Sequence, residues 1–240
     1  MMIQLGNFFF RCRNIIFIFL YLLLFVPSAE LFGAERWGDK YFLYPIVLGL
    51  LITVSGQLIR GGTIGLAYII RGGQNRQVYA DGLVTTGIFN HVRNPLYIGN
   101  ILMLWGAGIM ANSFLFTLII MPLFLCIYQC IVLAEEAYLK KKFGMDFIDY
   151  TKRVNRWVPN FKGIGDTFSS MKFNWKRWLI KEYGTQFVWL LGIAFILLYK
   201  YPTLIGRDPE TKLKYAGICL LVIGTYYLTI RFMKKSGRWK

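Results

Sequence analysis

The chain has 240 residues, of which 56% are hydrophobic and 18% aromatic, and its mean hydropathy is +0.46. Ordinary soluble domains are about 45–50% apolar, so this composition predicts an integral membrane protein. The net charge of +16 comes from 28 Lys and Arg against 12 Asp and Glu. Because these basic residues lie between apolar runs, they indicate membrane topology and contacts with lipid headgroups, and we expect no nucleic-acid binding.

Six apolar segments are candidates for crossing a bilayer, which takes about 20 residues. In chain order they are residues 15–26, 41–59, 96–111, 114–133, 184–198 and 214–230. A cleaved signal peptide is the alternative reading of the first segment, because Arg11 and Arg13 precede it. We favour an uncleaved helix, because Pro27 occupies a position where cleavage after Ala29 needs a small residue. The connection 111–113 is short enough only for a tight helical hairpin.

The distribution of basic residues predicts the orientation of these helices. With the N-terminus inside, 22 of the 28 Lys and Arg fall on the cytoplasmic face. This arrangement also places the C-terminus and both long connections, 60–93 and 134–181, in the cytoplasm.

Residue types that usually form metal or redox sites are sparse. His91 is the one histidine, and the four cysteines form no C-x-x-C pair. We therefore expect no metal site and assign the cysteines to packing. The glycines of "RGGTIG" and "RGGQN" match no nucleotide-binding motif and predict close helix packing or turns.

The segment "GIFNHVRNPLYIGN" places a polar cluster at the start of the third apolar run. In the simplest reading, Pro95 begins a helix and Arg93 extends toward the phosphates of the membrane surface. That reading leaves Asn94 and Tyr97 without a role.

The segment "LAEEAYLKKKFGMDFIDYTKRVNRWVP" forms a second polar cluster, which begins where the fourth apolar run ends. Its simplest reading is a solvated helix end in which Glu136 pairs with Lys140. Adjacent helical residues point about 100° apart, so we expect that Glu135 and Glu136 do not both face the same pocket. The helical hairpin brings both clusters together on the predicted cytoplasmic side.

The two clusters together carry a resemblance to a known family. "GLVTTGIFNHVRNPLYIG", followed about 35 residues later by "EEAYLKKKFGMDFIDYTKRV", resembles the isoprenylcysteine carboxyl methyltransferases and related membrane phospholipid methyltransferases. The resemblance covers about residues 40–162. It implies an all-α polytopic membrane enzyme that binds S-adenosylmethionine at its cytoplasmic face and releases S-adenosylhomocysteine.

The resemblance also implies a set of site residues. The positions matching cofactor-binding residues are Gln74, Leu83, Val84, Phe89, Asn94, Pro95, Tyr97 and Glu135. Because the resemblance selects Glu135, Glu136 is expected to face outward and to pair with Lys140. The expected catalytic residues are Arg93, Glu135 and Arg156. The expected substrate is lipid-like or prenylated, with methylation of a carboxyl oxygen or an amine nitrogen. Family members that methylate prenylated proteins have an arginine where this chain has Ile131, so Arg93, Arg153 or Arg156 would take over.

The chain divides into three predicted regions: an N-terminal helix and loop at 1–40, a methyltransferase core at 41–162, and an extension at 163–240. The extension begins with an interfacial segment, "MKFNWKRWLIKEY", and adds two spans. Two alternatives remain open. One is an NADPH-dependent sterol or lipid reductase, since such enzymes carry a similar "RxPxYxG" segment. The other is a non-catalytic membrane scaffold, for which the paired polar clusters would have no use.

Overall fold

The computed structural model describes residues 1–66, 71–74, 77–205 and 208–239, without the side chains of 71–78, 203 and 205. The helices are α1 (Met2–Leu22), α2 (Ala34–Trp37), α3 (Leu43–Leu66), α4 (Pro95–Met110), α5 (Met121–Arg153), α6 (Ile164–Ser170), α7 (Trp175–Lys200), α8 (Pro202–Ile205) and α9 (Pro209–Lys235). Strands β1 (Arg71–Gln74) and β2 (Gln77–Ala80) pair antiparallel, with Arg71 opposite Ala80. Short 3₁₀ turns at Leu23–Phe25 and Gly87–Asn90 and a π-helical turn at Phe116–Ile120 join these elements.

Five helices within the described ranges are long and apolar enough to cross a membrane. They are Met2–Phe25, Leu43–Leu66, Phe116–Arg153, Trp175–Lys200 and Pro209–Lys235. Helix α4 is apolar but shorter, at 16 residues. The predicted all-α polytopic membrane fold is confirmed, with the β1–β2 hairpin added in the first long connection. Helix α1 begins well before the predicted segment 15–26, because Gly6 and Phe10 pack against α5.

Glycines let α3 and α4 pack with their backbones in contact. A Cβ atom on Gly56 would lie 2.5 Å from the carbonyl oxygen of Gly99. A Cβ on Gly106 would lie 2.5 Å from the backbone nitrogen of Thr53. Small residues at such positions allow close helix approach inside a membrane, where apolar burial alone does not drive association. This contact fixes the start of α4, and with it the first polar cluster, relative to α3.

A kink at Gly144 divides α5 into a long first part, which includes the apolar run, and a short C-terminal part. Gly144 has φ 53° and ψ −122°, a conformation that residues with a side chain rarely adopt. Beyond the kink, Phe147 and Tyr150 pack with Ala80 of β2 and Leu139 of α5. The kink in the "KFGMDF" stretch therefore lets the last part of α5 pack against strand β2.

The turn between α4 and α5 is the tight hairpin that the sequence predicted. Asn112 adopts a left-handed conformation with φ 51°. Its side-chain oxygen accepts hydrogen bonds from the backbone nitrogens of Leu31 and Phe32, at 3.0 and 2.9 Å. The turn thus anchors the loop that follows α1.

Helix α7 docks on α3 through polar contacts. The guanidinium of Arg60 binds both carboxylate oxygens of Glu182, and Trp189 Nε1 donates to Thr53 Oγ1 at 2.7 Å. Gly61 lies against Trp178, which confirms the close packing predicted for "RGGTIG". The aromatic-basic stretch and the predicted span 184–198 form one continuous helix, because α7 begins at Trp175.

Candidate active site

Both polar clusters meet at one end of the helix bundle. The end of α3, the start of α4, the stretch of α5 around Glu135 and the start of α7 lie together here, and we call this region the motif end. A cavity of about 800 Å³ runs from the motif end into the bundle, and residues of α1, α3, α4, α5 and α7 line it. Its volume falls within the range of small-molecule sites, about 300–1,000 Å³.

Most of the predicted site residues lie on the wall of this cavity. The residues that line it are Phe89, Arg93, Asn94, Pro95, Tyr97 and Glu135. Leu83 instead packs beside the cluster of β2 and α5, and Val84 does not line the cavity. Gln74 is the last residue of β1, and its side chain lies outside the described part of the chain. The roles of all these residues stay predictions.

Glu135 is buried in the cavity wall, with 5% of its surface exposed. The hydroxyl of Tyr97 donates a hydrogen bond of 2.6 Å to its Oε1 atom. Tyr97 lies in the first turn of α4, which Pro95 begins and Asn94 precedes. The run "NPLY" therefore places a hydroxyl from α4 against a carboxylate from α5. A charge-assisted hydrogen bond of this kind fixes the direction of the carboxylate.

Glu136 does not face outward, so the predicted pairing with Lys140 is wrong. Its Oε2 atom lies 2.7 Å from Nη2 of Arg156, and its Oε1 atom lies 3.4 Å from Nη1 of Arg93. The segment after α5 causes this difference, because it returns alongside the first polar cluster. The backbone nitrogen of Arg93 donates to the carbonyl of Asn155 at 2.9 Å.

The Arg93–Glu136–Arg156 cluster has more positive than negative charge. Burial lowers the pKa of the Arg93 guanidinium, whereas the hydrogen bond to Glu136 raises the pKa of Arg156. Both side chains remain protonated, because arginine keeps its charge in proteins. The Nε atom of Arg93 is buried and has no hydrogen-bond partner among the described residues. Arg93, which lines the cavity, therefore carries a buried donor without a partner among the described residues.

His91 stabilises the loop and does not line the cavity. Its Nδ1 and Nε2 atoms lie 2.6 Å from the carbonyl oxygen of Asn160 and 2.8 Å from Oγ1 of Thr167. Asn94 donates to the carbonyl of Arg156 in the same segment. Within the described residues, no group of three or more His, Cys, Asp or Glu could hold a metal ion.

The cavity also contains polar residues that the sequence analysis missed. They are Arg13 and Asn14 of α1, Arg60 of α3, Asn100 of α4 and Tyr128 of α5. The sequence did contain a signal for Arg60. It follows the predicted span 41–59 directly, so its guanidinium would need polar partners on neighbouring helices. Ile131, where the resemblance expects an arginine in some members, is fully buried against Phe10. Of the three suggested replacements, Arg93 lines the cavity, Arg156 binds Glu136 and Arg153 is exposed.

Comparisons with known proteins agree with the two clusters. The sequence profile of the phospholipid methyltransferase family matches residues 45–146. The chain is 28% identical over 194 residues to the cobalt-zinc-cadmium resistance protein CzcN of Cupriavidus metallidurans, covering 78% of this chain and 82% of that protein. It is 28% identical over 153 residues to the nickel-cobalt-cadmium resistance protein NccN of Alcaligenes xylosoxydans xylosoxydans, covering 62% and 67%.

A third relative is an enzyme. The chain is 32% identical over 77 residues to the protein-S-isoprenylcysteine O-methyltransferase of Schizosaccharomyces pombe, covering 32% of this chain and 33% of that protein. No solved structure matches the chain. The profile match spans the first polar cluster, the helical hairpin and both glutamates, so residues 45–146 of this chain are similar to the phospholipid methyltransferase family.

Proposed function

We propose that the protein transfers a methyl group from S-adenosylmethionine to a lipid-like or prenylated acceptor. One observation carries this proposal. A single cavity joins the polar side chains of both clusters to an apolar interior formed by membrane-spanning helices. A polar cofactor and an apolar substrate could therefore meet in one space, at the motif end.

The residues at the motif end fit S-adenosylmethionine chemically. Glu135 offers a buried carboxylate that could accept hydrogen bonds from amino or hydroxyl groups. Arg93 offers a buried Nε donor without a partner among the described residues, suited to a carboxylate or hydroxyl oxygen. Phe89 and Tyr97 add aromatic surface to the same wall. When bound, the cofactor supplies an electrophilic methyl group on a sulfonium that is its own leaving group.

The protein's contribution would be orientation and exclusion of water. Tyr97 fixes the Glu135 carboxylate, and Glu136 holds the guanidinium of Arg93 beside the cavity. Preset groups of this kind lower the entropic cost of bringing donor and acceptor together. A carboxylate acceptor needs no base, whereas an amine acceptor has to lose a proton. The two acceptor types therefore predict different pH dependences.

Binding of S-adenosylhomocysteine to purified protein tests the cofactor. We expect tight binding by calorimetry and no binding of NADPH. Glu135→Gln should weaken the affinity by about one to two decades, because it removes a charged partner worth about 1.5–3 kcal/mol. Glu210→Gln is the matched control at an exposed carboxylate of α9. Binding of NADPH without S-adenosylhomocysteine would replace this proposal with the reductase.

Transfer of a tritiated methyl group to membrane lipids tests the acceptor. Alkali releases the label of a methyl ester as volatile methanol, whereas an N-methyl group keeps its label. Labelled lipid of either kind supports methyl transfer and identifies the atom. No labelled lipid in native membranes, despite cofactor binding, would contradict a lipid-like acceptor.

We also place the motif end in the cytoplasm, on the basis of the Lys and Arg distribution. Gln74→Cys and Arg156→Cys, each in a background without native cysteines, should resist an impermeant thiol reagent in intact cells. Both should react after the membrane is permeabilised. Labelling of either residue in intact cells would contradict this orientation.

A further inference from the structure

The cavity opens sideways between α1 and α7. Ile18 and Leu22 of α1 line it, as do Val188 and Phe195 of α7, and all four side chains are exposed at the surface of the bundle. Residues that both line a cavity and remain exposed mark its mouth. We call this opening the lateral gap. Farther from the motif end, the rings of Phe25 and Tyr199 meet at 5.7 Å and close it.

Arg13 lies on the cavity wall near the middle of α1. Helix α1 runs antiparallel to α5, with Gly6 beside Ala134 and Phe17 beside Phe124. Arg13 follows Gly6 by seven residues, which is about 10 Å at about 1.5 Å per residue. The backbone of Arg13 therefore lies about 10 Å farther along α1 than that of Gly6, which contacts Cys130 and Ala134 of α5.

No carboxylate pairs with Arg13 in the part of the chain that the structure describes. Its guanidinium carbon instead lies 4.5 Å from the centre of the Phe10 ring. Arg60, which lines the same cavity, is neutralised, because both Glu182 oxygens accept from it at 2.6 and 2.8 Å. The part of the cavity along α1 thus contains one positive charge without a carboxylate partner among the described residues, and Asn14 also lines this part.

We infer that Arg13 and Asn14 form an anion subsite for an amphiphilic substrate. Arg13 binds a carboxylate or phosphate of that substrate, and the hydrocarbon chain lies in the lateral gap. Charge complementarity and the apolar rim of the gap select this occupant over a neutral or cationic lipid. The inference rests on the proposed methyl transfer only in naming the occupant as substrate.

Binding of matched twelve-carbon probes tests the subsite. Radiolabelled dodecanoate and dodecyl phosphate carry the two anions, and dodecyltrimethylammonium is the cationic control, all in dodecyl maltoside. We expect an anionic probe to bind at least tenfold more tightly than the cationic probe. Arg13→Gln should remove that preference, and the probe whose affinity falls identifies the anion. Arg13→Lys should retain most of the preference, because the charge stays.

Arg11→Gln is the matched control, since Arg11 is exposed on the same helix and does not line the cavity. It should change probe affinity less than twofold. Asn14→Asp is a second variant in which a new carboxylate neutralises Arg13 without removing it. This substitution should weaken the anionic probe tenfold or more, even if Arg13→Gln fails to fold.

Three outcomes would overturn the inference. They are equal binding of anionic and cationic probes, equal losses in Arg11→Gln and Arg13→Gln, and displacement of the probes by inorganic phosphate at equal concentration. The third result would mean a site for a free anion. Binding of S-adenosylhomocysteine to Arg13→Gln separates this inference from the proposed function. That binding should be unchanged, so probe binding can fail while the cofactor site remains intact.

Discussion

Two glutamates hold arginines at the motif end, and they differ in their surroundings. Glu182 of α7 is 2% exposed and binds Arg60 of α3 through two hydrogen bonds, which link the C-terminal extension to the core. Glu136 of α5 is 12% exposed and bridges Arg93 and Arg156, of which Arg156 is 31% exposed. Water can therefore partly hydrate the Arg93–Glu136–Arg156 cluster, whereas it hardly reaches the Arg60–Glu182 pair. Losing one partner of the Arg60–Glu182 pair should therefore cost more folding free energy, whereas salt should weaken the Arg93–Glu136–Arg156 cluster more.

The largest effect is expected from Glu182→Gln. The substitution leaves the buried guanidinium of Arg60 without a counter-charge, which costs about 3–5 kcal/mol in comparable pairs. We expect a loss of that size in the free energy of unfolding, measured by denaturant titration in detergent with far-ultraviolet circular dichroism. The double variant Arg60→Gln with Glu182→Gln should recover part of the loss, because it leaves no unpaired charge.

Glu210→Gln is the control for this measurement. Glu210 is exposed in the first turn of α9, where its effect on stability should stay below about 1 kcal/mol. A loss no larger in Glu182→Gln than in Glu210→Gln would mean that the extension does not depend on the buried pair.

The cavity wall around Glu135 and the Arg60–Glu182 pair differ in how much of them the sequence could predict. Glu135, Tyr97 and Pro95 belong to the motifs that carry the family resemblance, and the tight hairpin was enough to predict that the two motifs meet. Arg60 and Glu182 lie in helices far apart in the chain. Their pairing depends on how α7 crosses α3, and no local pattern encodes that crossing.

The prediction for Glu136 failed for a related reason. A helical i,i+4 rule predicted Lys140 as its partner, but the chain after α5 returns and offers Arg156. Stronger tertiary contacts replaced a weak local one, worth about 0.5 kcal/mol or less. The apolar segments were predictable because length and hydropathy are local properties. The start of α1 was not, since Gly6 and Phe10 are helical through their contact with α5.

Glu136→Gln should have the next largest effect. It removes the charge-assisted hydrogen bonds from Arg156 and the ion pair with Arg93, and the two arginines then repel each other. We therefore expect a loss of about 1.5–3 kcal/mol in the free energy of unfolding. The difference from the unsubstituted protein should change between low and high salt, because the cluster is partly hydrated. A salt response no greater than that of Glu182→Gln would contradict the contrast between the two clusters. Affinity for S-adenosylhomocysteine should fall less than in Glu135→Gln, since Glu136 does not line the cavity.

Arg93→Lys should weaken binding of S-adenosylhomocysteine by tenfold or more, about 1.4 kcal/mol. Lysine keeps the charge but cannot reproduce the planar fork that contacts Glu136 and carries the buried Nε donor. Arg153→Lys is the control, because Arg153 is exposed and does not line the cavity. Equal affinities in the two variants would restore the simpler reading of Arg93 as a membrane-surface anchor.

The smallest effect is expected from Asp149→Asn, because Asp149 belongs to the most exposed of these three ion-paired groups. Asp149 and Lys152 form an i,i+3 pair at 2.9 Å on the short C-terminal part of α5, with side chains 59% and 66% exposed. Water solvates both charges whether or not they pair, and holding two flexible side chains together costs entropy. Exposed pairs of this kind contribute about 0.2–1 kcal/mol at most. Asp149→Asn should therefore lower the free energy of unfolding by about 0.5 kcal/mol or less, and added salt should remove even that difference. The same denaturant titration measures all three carboxylates, so the losses should rank as Glu182, Glu136 and Asp149. A loss above about 1.5 kcal/mol for Asp149→Asn would mean that burial does not set the strength of these pairs.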